Sequence, residues 1–341
     1  MKILVGLSGG LDSSYTLNVL KNEGHELEGA VLVMHDNTDT EGAERAASEA
    51  GIKLNKIDCR EAFEREVAQN FTREYARGRT PNPCTVCNRT VKFETLRAFA
   101  SENGFDRIAT GHYAGVGESN GRFFIKTAMD RRKDQSYMLW KLTQSQLSVL
   151  TLPLYGLKKE DVREAARSGG ISAADKKESQ DICFIPDGDY AAFIESRGVI
   201  SVPGDIIDGE GKIIGRHRGI IYYTVGQRRG LGVAAGERMF VSSIDPEKNI
   251  VTLLPGGGGK CTEARITDLN YQKLSPCPAG TSLRLSVKIR YSSPLMPCTL
   301  RISDKDGAKV RFDEEVRSVT PGQSAVFYDN DGDIALGGSF A

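Results

Sequence analysis

The first third of the chain alternates short, unbroken apolar runs with segments of helical period. Ile3, Leu4, Val5 and Leu7 form one run, Gly29 to Met34 a second and Leu54 to Cys59 a third. Continuous runs of this length mark strands buried on both faces. The spacing between them predicts helices over Tyr15–Glu23, ended by Gly24, and Glu41–Ala50, ended by Gly51. Glycine after the last turn supplies the left-handed residue that closes a helix. From Glu61 the series Phe63, Val67, Phe71, Tyr75 predicts an amphipathic helix closed by Gly78, its aromatic stripe facing the core. Val91–Asn103 is helical to Gly104, Asp106–Gly111 is the next strand, and Lys158–Gly169 is another helix.

Strand and helix in alternation define an α/β fold with a doubly wound parallel sheet. Ligands of such sheets collect at the carboxyl ends of the strands, where Ser8–Ser14, Met34 and Gly111-His112-Tyr113 all fall. From about Pro203 the pattern changes to glycine-rich turns and short alternating strands. Three domains are therefore expected: 1–202, 203–260 as a small β domain, and 261–341 as a small barrel.

Composition narrows the setting without naming the chemistry. The 341 residues carry 45 basic and 45 acidic side chains, so an RNA partner would have to be drawn by local patches. Gly215 to Gly232 is one such patch. It holds Arg216, His217, Arg218, Arg228 and Arg229 with Tyr222 and Tyr223 interleaved, and suits base stacking or the solvated rim of a barrel equally. The basic loop from Arg131 is a second, either a solvated face or a phosphate contact. Met1 leads straight into a strand, with no signal segment and no apolar stretch of membrane-spanning length. A cytoplasmic protein with no membrane partner is expected. Seven scattered cysteines argue against a disulfide framework.

Two segments hold candidate chemistry. Ser8-Gly9-Gly10-Leu11-Asp12-Ser13-Ser14 follows the first strand and turns into a helix, presenting backbone N–H groups and a helix dipole to an anion. It lacks the Gly-Lys-Ser/Thr of a Walker loop, and the full string resembles the loop of enzymes that split ATP into AMP and pyrophosphate. The second segment, Thr80–Asn88, carries Cys84 and Cys87 and is expected to be a stiff, non-helical strut, because Pro81 and Pro83 fix their own backbone angle. Its C-x-x-C spacing leaves metal and redox readings open. Cys183 lies in Lys176–Ile185 between apolar neighbours, which by default marks an inert thiol; Cys59, Cys261, Cys277 and Cys298 are read as inert too. His112 is either a capping residue or a group beside the nucleotide.

Seven strings in order resemble the tRNA-specific 2-thiouridylase family (MnmA/TrmU): Gly6–Ser13, Asn82–Asn88, Thr110–Ala114, Lys133–Tyr137, Cys183–Ile185, Tyr223–Gly232 and Pro321–Gln323. The resemblance implies a PP-loop ATP pyrophosphatase fold, of the adenine nucleotide alpha hydrolase-like type. It also implies ATP-dependent sulfur transfer to C2 of the wobble uridine of tRNA. By position, Gly6, Leu7, Ser8, Gly9, Gly10, Leu11, Asp12, Ser13, Met34 and Gly111 would bind ATP with Mg2+. Asn82, Pro83, Cys84, His112, Lys133, Asp134, Gln135, Arg290, Tyr291 and Gln323 would meet tRNA. Cys87 matches the nucleophile and Cys183 the persulfide carrier, charged by a cysteine desulfurase or a sulfur-carrier protein.

Many family members carry an acid where this chain has Cys84, which puts general acid–base work there in question. The resulting trio Cys84, Cys87 and Cys183 could instead hold a 4Fe-4S cluster with an open iron. The cluster-free persulfide route is preferred, and a zinc site lacks a fourth ligand. Two other classes share parts of the pattern: an amidating synthetase, which needs no paired cysteines, and a non-catalytic RNA-binding protein, which needs no ATP.

Overall fold

The computed structural model describes residues 1–176, 182–233, 236–256, 259–304 and 307–341. The first sheet uses β1 (Lys2–Gly6), β2 (Glu26–Val33), β3 (Leu54–Asp58) and β4 (Arg107–Ala109). A hairpin of β5 (Ala114–Ser119) and β6 (Arg122–Thr127) precedes its last strand, β7 (Leu150–Thr151). The order is β3-β2-β1-β4-β7, and every pairing is parallel. Alternate residues of β1 explain the continuous apolar run. Ile3 and Val5 face one core with Leu17, Leu20, Ala43 and Ala47, whereas Leu4 faces the other with Phe63, Val91, Phe93 and Leu96. Both faces are covered, as a parallel sheet requires.

On the first face lie α1 (Leu11–Asn22) and α2 (Thr40–Ala50). The second face is covered by two longer helical runs. One passes from Arg60–Phe63 through a π-turn at Glu64–Ala68 into Gln69–Ala76. The other passes from Pro83–Cys87 through a π-turn at Asn88–Lys92 into Phe93–Glu102.

Two expectations need correction. α1 begins four residues earlier than the apolar period indicates, so Asp12 and Ser13 sit in its first turn rather than in a loop. The cysteine segment is helical from Pro83 onward, not a strut. Proline is tolerated at the first helical position because its missing N–H would find no partner there anyway. Only Thr80–Asn82 stays extended or irregular.

The remaining chain is β-rich. β8 (Gly204–Ile207), β9 (Ile213–His217), β10 (Met239–Asp245) and β11 (Ile250–Pro255) form a sheet in the order β10-β11-β8-β9 over Ile206, Val241, Val251 and Leu253. β12 (Lys260–Tyr271), β13 (Ser282–Lys288), β14 (Met296–Ile302), β15 (Gly307–Arg317), β16 (Ser324–Tyr328) and β17 (Ile334–Phe340) close into a barrel. The barrel packs on the first unit: Val326, Tyr328 and Ile334 share a core with Tyr137 and Trp140. Among the described residues, no helix is long and apolar enough to cross a membrane.

Candidate active site at the carboxyl edge of the parallel sheet

The loop after β1 is organised by its own short side chains. Ser13 Oγ accepts from the Ser8 N–H at 3.2 Å and donates to Gly10 O at 3.1 Å, while Ser14 Oγ donates to the same carbonyl at 3.0 Å. Gly10 caps α1 without any side-chain hydrogen bond. The first N–H groups of the helix are thus left to an external acceptor, the arrangement that binds phosphate. Gly9 has φ +70°, and a Cβ there would stand 2.8 Å from the Gly42 backbone of α2. A Cβ on Gly111 would stand 2.6 Å from the Asp12 carbonyl carbon. Both glycines are therefore required by backbone packing at the loop.

Two lysines flank this loop that spacing did not single out. Lys159, 6% exposed, donates to Asp12 Oδ1 at 2.5 Å, and the Tyr113 hydroxyl lies 3.4 Å from the same oxygen. Lys176 donates to Gly9 O at 3.1 Å and pairs with Asp39, the side-chain cap of α2. Neither lysine sits in a phosphate-loop string, and each partner lies far away in sequence, so no local signal marks them.

The thiols gather behind the same edge. Cys87 is buried, with Sγ 3.6 Å from Met34 Sδ at the end of β2. Cys59 is buried at the end of β3, its Sγ donating to Val33 O at 3.5 Å. Cys84 and Cys183 are exposed by surface area. Burial pushes the Cys87 thiol up to about 12, and the neighbouring Cys183, Cys84 and Cys59 add to the rise. Crowding raises Cys84 and Cys183 as well, and Cys183 also feels Cys84. Lys92 opposes the rise at all three, which places its charge in the recess. Cys59, read as inert, is thus a neighbour of Cys87, although burial also raises it to about 11. Of the Lys176–Ile185 segment, residues 177–181 lie outside the described residues.

Among the described residues, the only group with all ligand atoms within 4.8 Å of one another is Asp329, Asp331 and Asp333. The Lys273 ammonium binds all three of those carboxylates, at 2.5, 3.2 and 2.7 Å. The cysteine trio is therefore not spaced for a single ion; a cubane is larger and would hold its thiolates further apart.

The residues expected to meet tRNA divide into two groups. Asp134 is 5% exposed and accepts from Ala128 N and from Ser136 Oγ, at 2.9 and 2.7 Å. Gln135 Oε1 accepts from Tyr113 N at 2.9 Å. Both shape the turn from inside, because their side chains complete backbone hydrogen bonds instead of facing out. His112 bonds Thr110 Oγ1 at 2.8 Å and is kept neutral by burial, its pKa lowered to about 3. Asn82 precedes the cysteine helix, with Nδ2 3.6 Å from Met138 Sδ, and Pro83 is buried. On the barrel side, Gln323 Nε2 donates to Thr80 O at 2.9 Å, and the Thr80 N–H donates to Pro321 O at 2.9 Å. Arg290 donates to Ser318 O at 2.8 Å and to Thr320 Oγ1 at 2.9 Å. Tyr291 is 41% exposed and meets Tyr137 edge-on at 6.3 Å. In the basic patch, Arg218 stacks at 3.7 Å over Tyr222, and Arg228 and Arg229 are exposed. His217, by contrast, is buried against Asn249 O at 3.0 Å.

A parallel sheet of order β3-β2-β1-β4-β7 whose first loop runs into an uncapped helix has the architecture of a HUP domain. Residues 1–187 match the family model described as a tRNA methyl transferase HUP domain. Residues 191–254 match a tRNA methyl transferase PRC-barrel domain, and 262–340 an aminomethyltransferase beta-barrel domain.

The chain is 42% identical to a tRNA-specific 2-thiouridylase MnmA of Chlorobium luteolum, covering 99% of this chain and 95% of that one. It is 38% identical to the protein of that name from Clostridium acetobutylicum, covering 99% and 98%. Among solved structures, a 4-thiouridine synthetase–RNA complex with bound ATP aligns over 57% of this chain and 50% of that one, at 17% identity and a TM-score of 0.36. The chain belongs to the tRNA-specific 2-thiouridylase family.

Proposed function

We propose that the protein is an ATP-dependent tRNA-uridine 2-sulfurtransferase acting on the wobble uridine. The observation that carries this reading is that Cys87 and the segment of Cys183, distant in sequence, converge behind the sheet edge that bears the uncapped α1: Phe184 packs on Phe63 at 5.3 Å, and Cys183 adds to the rise of the Cys87 thiol. Methyl transfer, named in the family descriptions, has no use for either feature. An amidating synthetase would need no paired thiols, and a passive RNA binder no anion loop.

A pyrimidine C2 carbonyl is a poor electrophile while oxide is the leaving group. The N–H groups at the start of α1 would hold the triphosphate, with Asp12 placed for Mg2+ and Met34 and Gly111 beside the nucleotide. The uridine O2 attacks the α-phosphorus, pyrophosphate leaves, and C2 now carries AMP as its leaving group. The terminal sulfur of a persulfide on Cys183 attacks C2 and expels AMP. The Cys87 thiolate then attacks the Cys183 sulfur, forming the Cys87–Cys183 disulfide and leaving the outer sulfur on C2. An external thiol reductant restores both cysteines. Exposure of Cys183 suits loading by a cysteine desulfurase or sulfur-carrier protein.

Residues 1–202 would carry the chemistry. The β units at 203–260 and 261–341 would carry tRNA contacts, Arg290, Tyr291 and Gln323 among them, and Lys133 would add one from the first unit. A reducing, tRNA-containing compartment, the cytoplasm, fits free thiols. The convergence of Cys84 with Cys87 and Cys183 also supports a second chemistry, sulfide held on a 4Fe-4S cluster. Iron counting on anaerobically purified protein separates the two, and active, iron-free protein removes the cluster. For the function itself, nucleoside mass spectrometry of tRNA from a strain lacking the protein is expected to show loss of 2-thiouridine; an unchanged level overturns the reading.

A further inference from the structure

The thiol expected to carry sulfur has contradictory duties. Cys183 is exposed, as loading by a donor requires, yet it must reach a fixed point beside the buried Cys87. Its own turn is closed by the Ile185 N–H donating to Ile182 O at 2.9 Å, a bond that shapes the turn but does not fix it against the rest of the molecule. The support comes from the next side chain. The Phe184 ring sits among three others, Phe63 at 5.3 Å, Phe71 at 5.6 Å and Phe193 at 5.1 Å between centroids. The first two are edge-to-face, at 76° and 87°, a geometry with a directional preference that an aliphatic side chain lacks. Arg197 closes the outside of the group, stacked at 4.4 Å on Phe193 and paired with Glu64.

The same rings lead to the other thiol. Phe63 meets the His35 ring edge-on at 5.7 Å, and the neighbour of His35, Met34, has its sulfur 3.6 Å from Cys87 Sγ. Three side-chain contacts, Cys87–Met34, His35–Phe63 and Phe63–Phe184, joined by the chain bonds Met34–His35 and Cys183–Phe184, therefore connect the two cysteines. Resting on the sulfur-transfer reading above, we infer that Phe184 is a positioning residue for that reaction: seated among Phe63, Phe71 and Phe193, it holds Cys183 at the reach of Cys87. Adenylation uses the loop after β1 and does not involve Phe184. Loss of the ring should uncouple the two half-reactions, whereas a residue that merely fills the core would depress both together.

The test compares wild type with Phe184→Ala, Phe184→Leu and Phe184→Tyr, each shown to be folded by circular dichroism and thermal midpoint. In a single turnover with tRNA, ATP and a persulfide donor, pyrophosphate and 2-thiouridine are counted. Without tRNA, diamide takes two electrons and two protons from a thiol pair, and peptide mass spectrometry times the Cys87–Cys183 disulfide.

Phe184→Ala and Phe184→Leu are expected to slow 2-thiouridine and disulfide formation by roughly 10- to 100-fold with single-turnover pyrophosphate release within about threefold of wild type, and Phe184→Tyr to restore wild-type rates. A wild-type disulfide rate in the Leu variant, or pyrophosphate and 2-thiouridine falling in parallel, overturns the inference; should the Ala variant not fold, the Leu variant decides. Wild-type protein that makes no 2-thiouridine removes the functional reading instead, and the diamide rates still decide whether Phe184 sets the thiol separation.

Discussion

At the nucleotide loop the hydrogen bonds that shape the turn join residues within a few positions of each other, Ser8 to Ser13 and Ser13 and Ser14 to Gly10, and Asp39 to Gly42 caps the neighbouring α2 in the same way. At the thiol recess Cys59, Cys87 and Cys183 arrive on three separate segments and are held by side chains: Met34 under one sulfur, a cluster of aromatic rings beside another. The loop is a backbone device, rigid by local hydrogen bonding. The recess is a packing device whose geometry depends on parts distant in sequence. A backbone device fails when its φ angles or N–H groups are disturbed; a packing device fails when one member of the set is removed.

The sharpest test of that contrast is removal of a thiol. Cys87→Ser or Cys183→Ser is expected to lower 2-thiouridine formation by ~10³-fold or more while ATP binding, read by calorimetry, stays near wild type. Lys159→Met should do the reverse. It leaves the Asp12 carboxylate without its ammonium partner, and the KM for ATP should rise about 10- to 100-fold with little change in diamide-driven disulfide formation.

Gly9→Ala strikes the backbone device directly. A φ of +70° and a 2.8 Å approach to Gly42 should cost about 1–3 kcal/mol in urea unfolding and weaken ATP binding. The smallest expected effect is electrostatic. Cys87 titrates near 12, so at neutral pH it is protonated and its thiolate fraction grows as pH rises. The sulfur-transfer rate should climb through pH 7–9. Lys92 lowers the three thiol values, so Lys92→Met should move that rise further alkaline, by less than about one pH unit. A shift to lower pH would show that Lys92 does not face the thiols.

The same contrast explains what could be read from residues alone. The order of strands and helices was legible because burial on both faces writes continuous apolar runs, as in β1, and because Gly24 and Gly51 punctuate the helices. The phosphate loop was legible because its parts are contiguous. Pro83 misled, since proline excludes a helix interior but not its first position. Lys159 and Lys176 left no trace, because the aspartates they meet are more than a hundred residues away. Asp134 and Gln135 read as surface polar residues; only the fold shows their side chains turned inward to bond Ala128 and Tyr113. Cys59 carried nothing to separate it from Cys298, which lies in the barrel core.

The hold of Pro321 and Gln323 on Thr80 has a consequence for the order of biosynthesis. The segment leading into the cysteine helix has both its N–H and its carbonyl bonded by residues the ribosome adds some 240 positions later. Until the last barrel strands emerge and close, a nascent chain can fold its nucleotide loop but cannot fasten the approach to Cys84 and Cys87. The reactive end of the molecule is thus completed last.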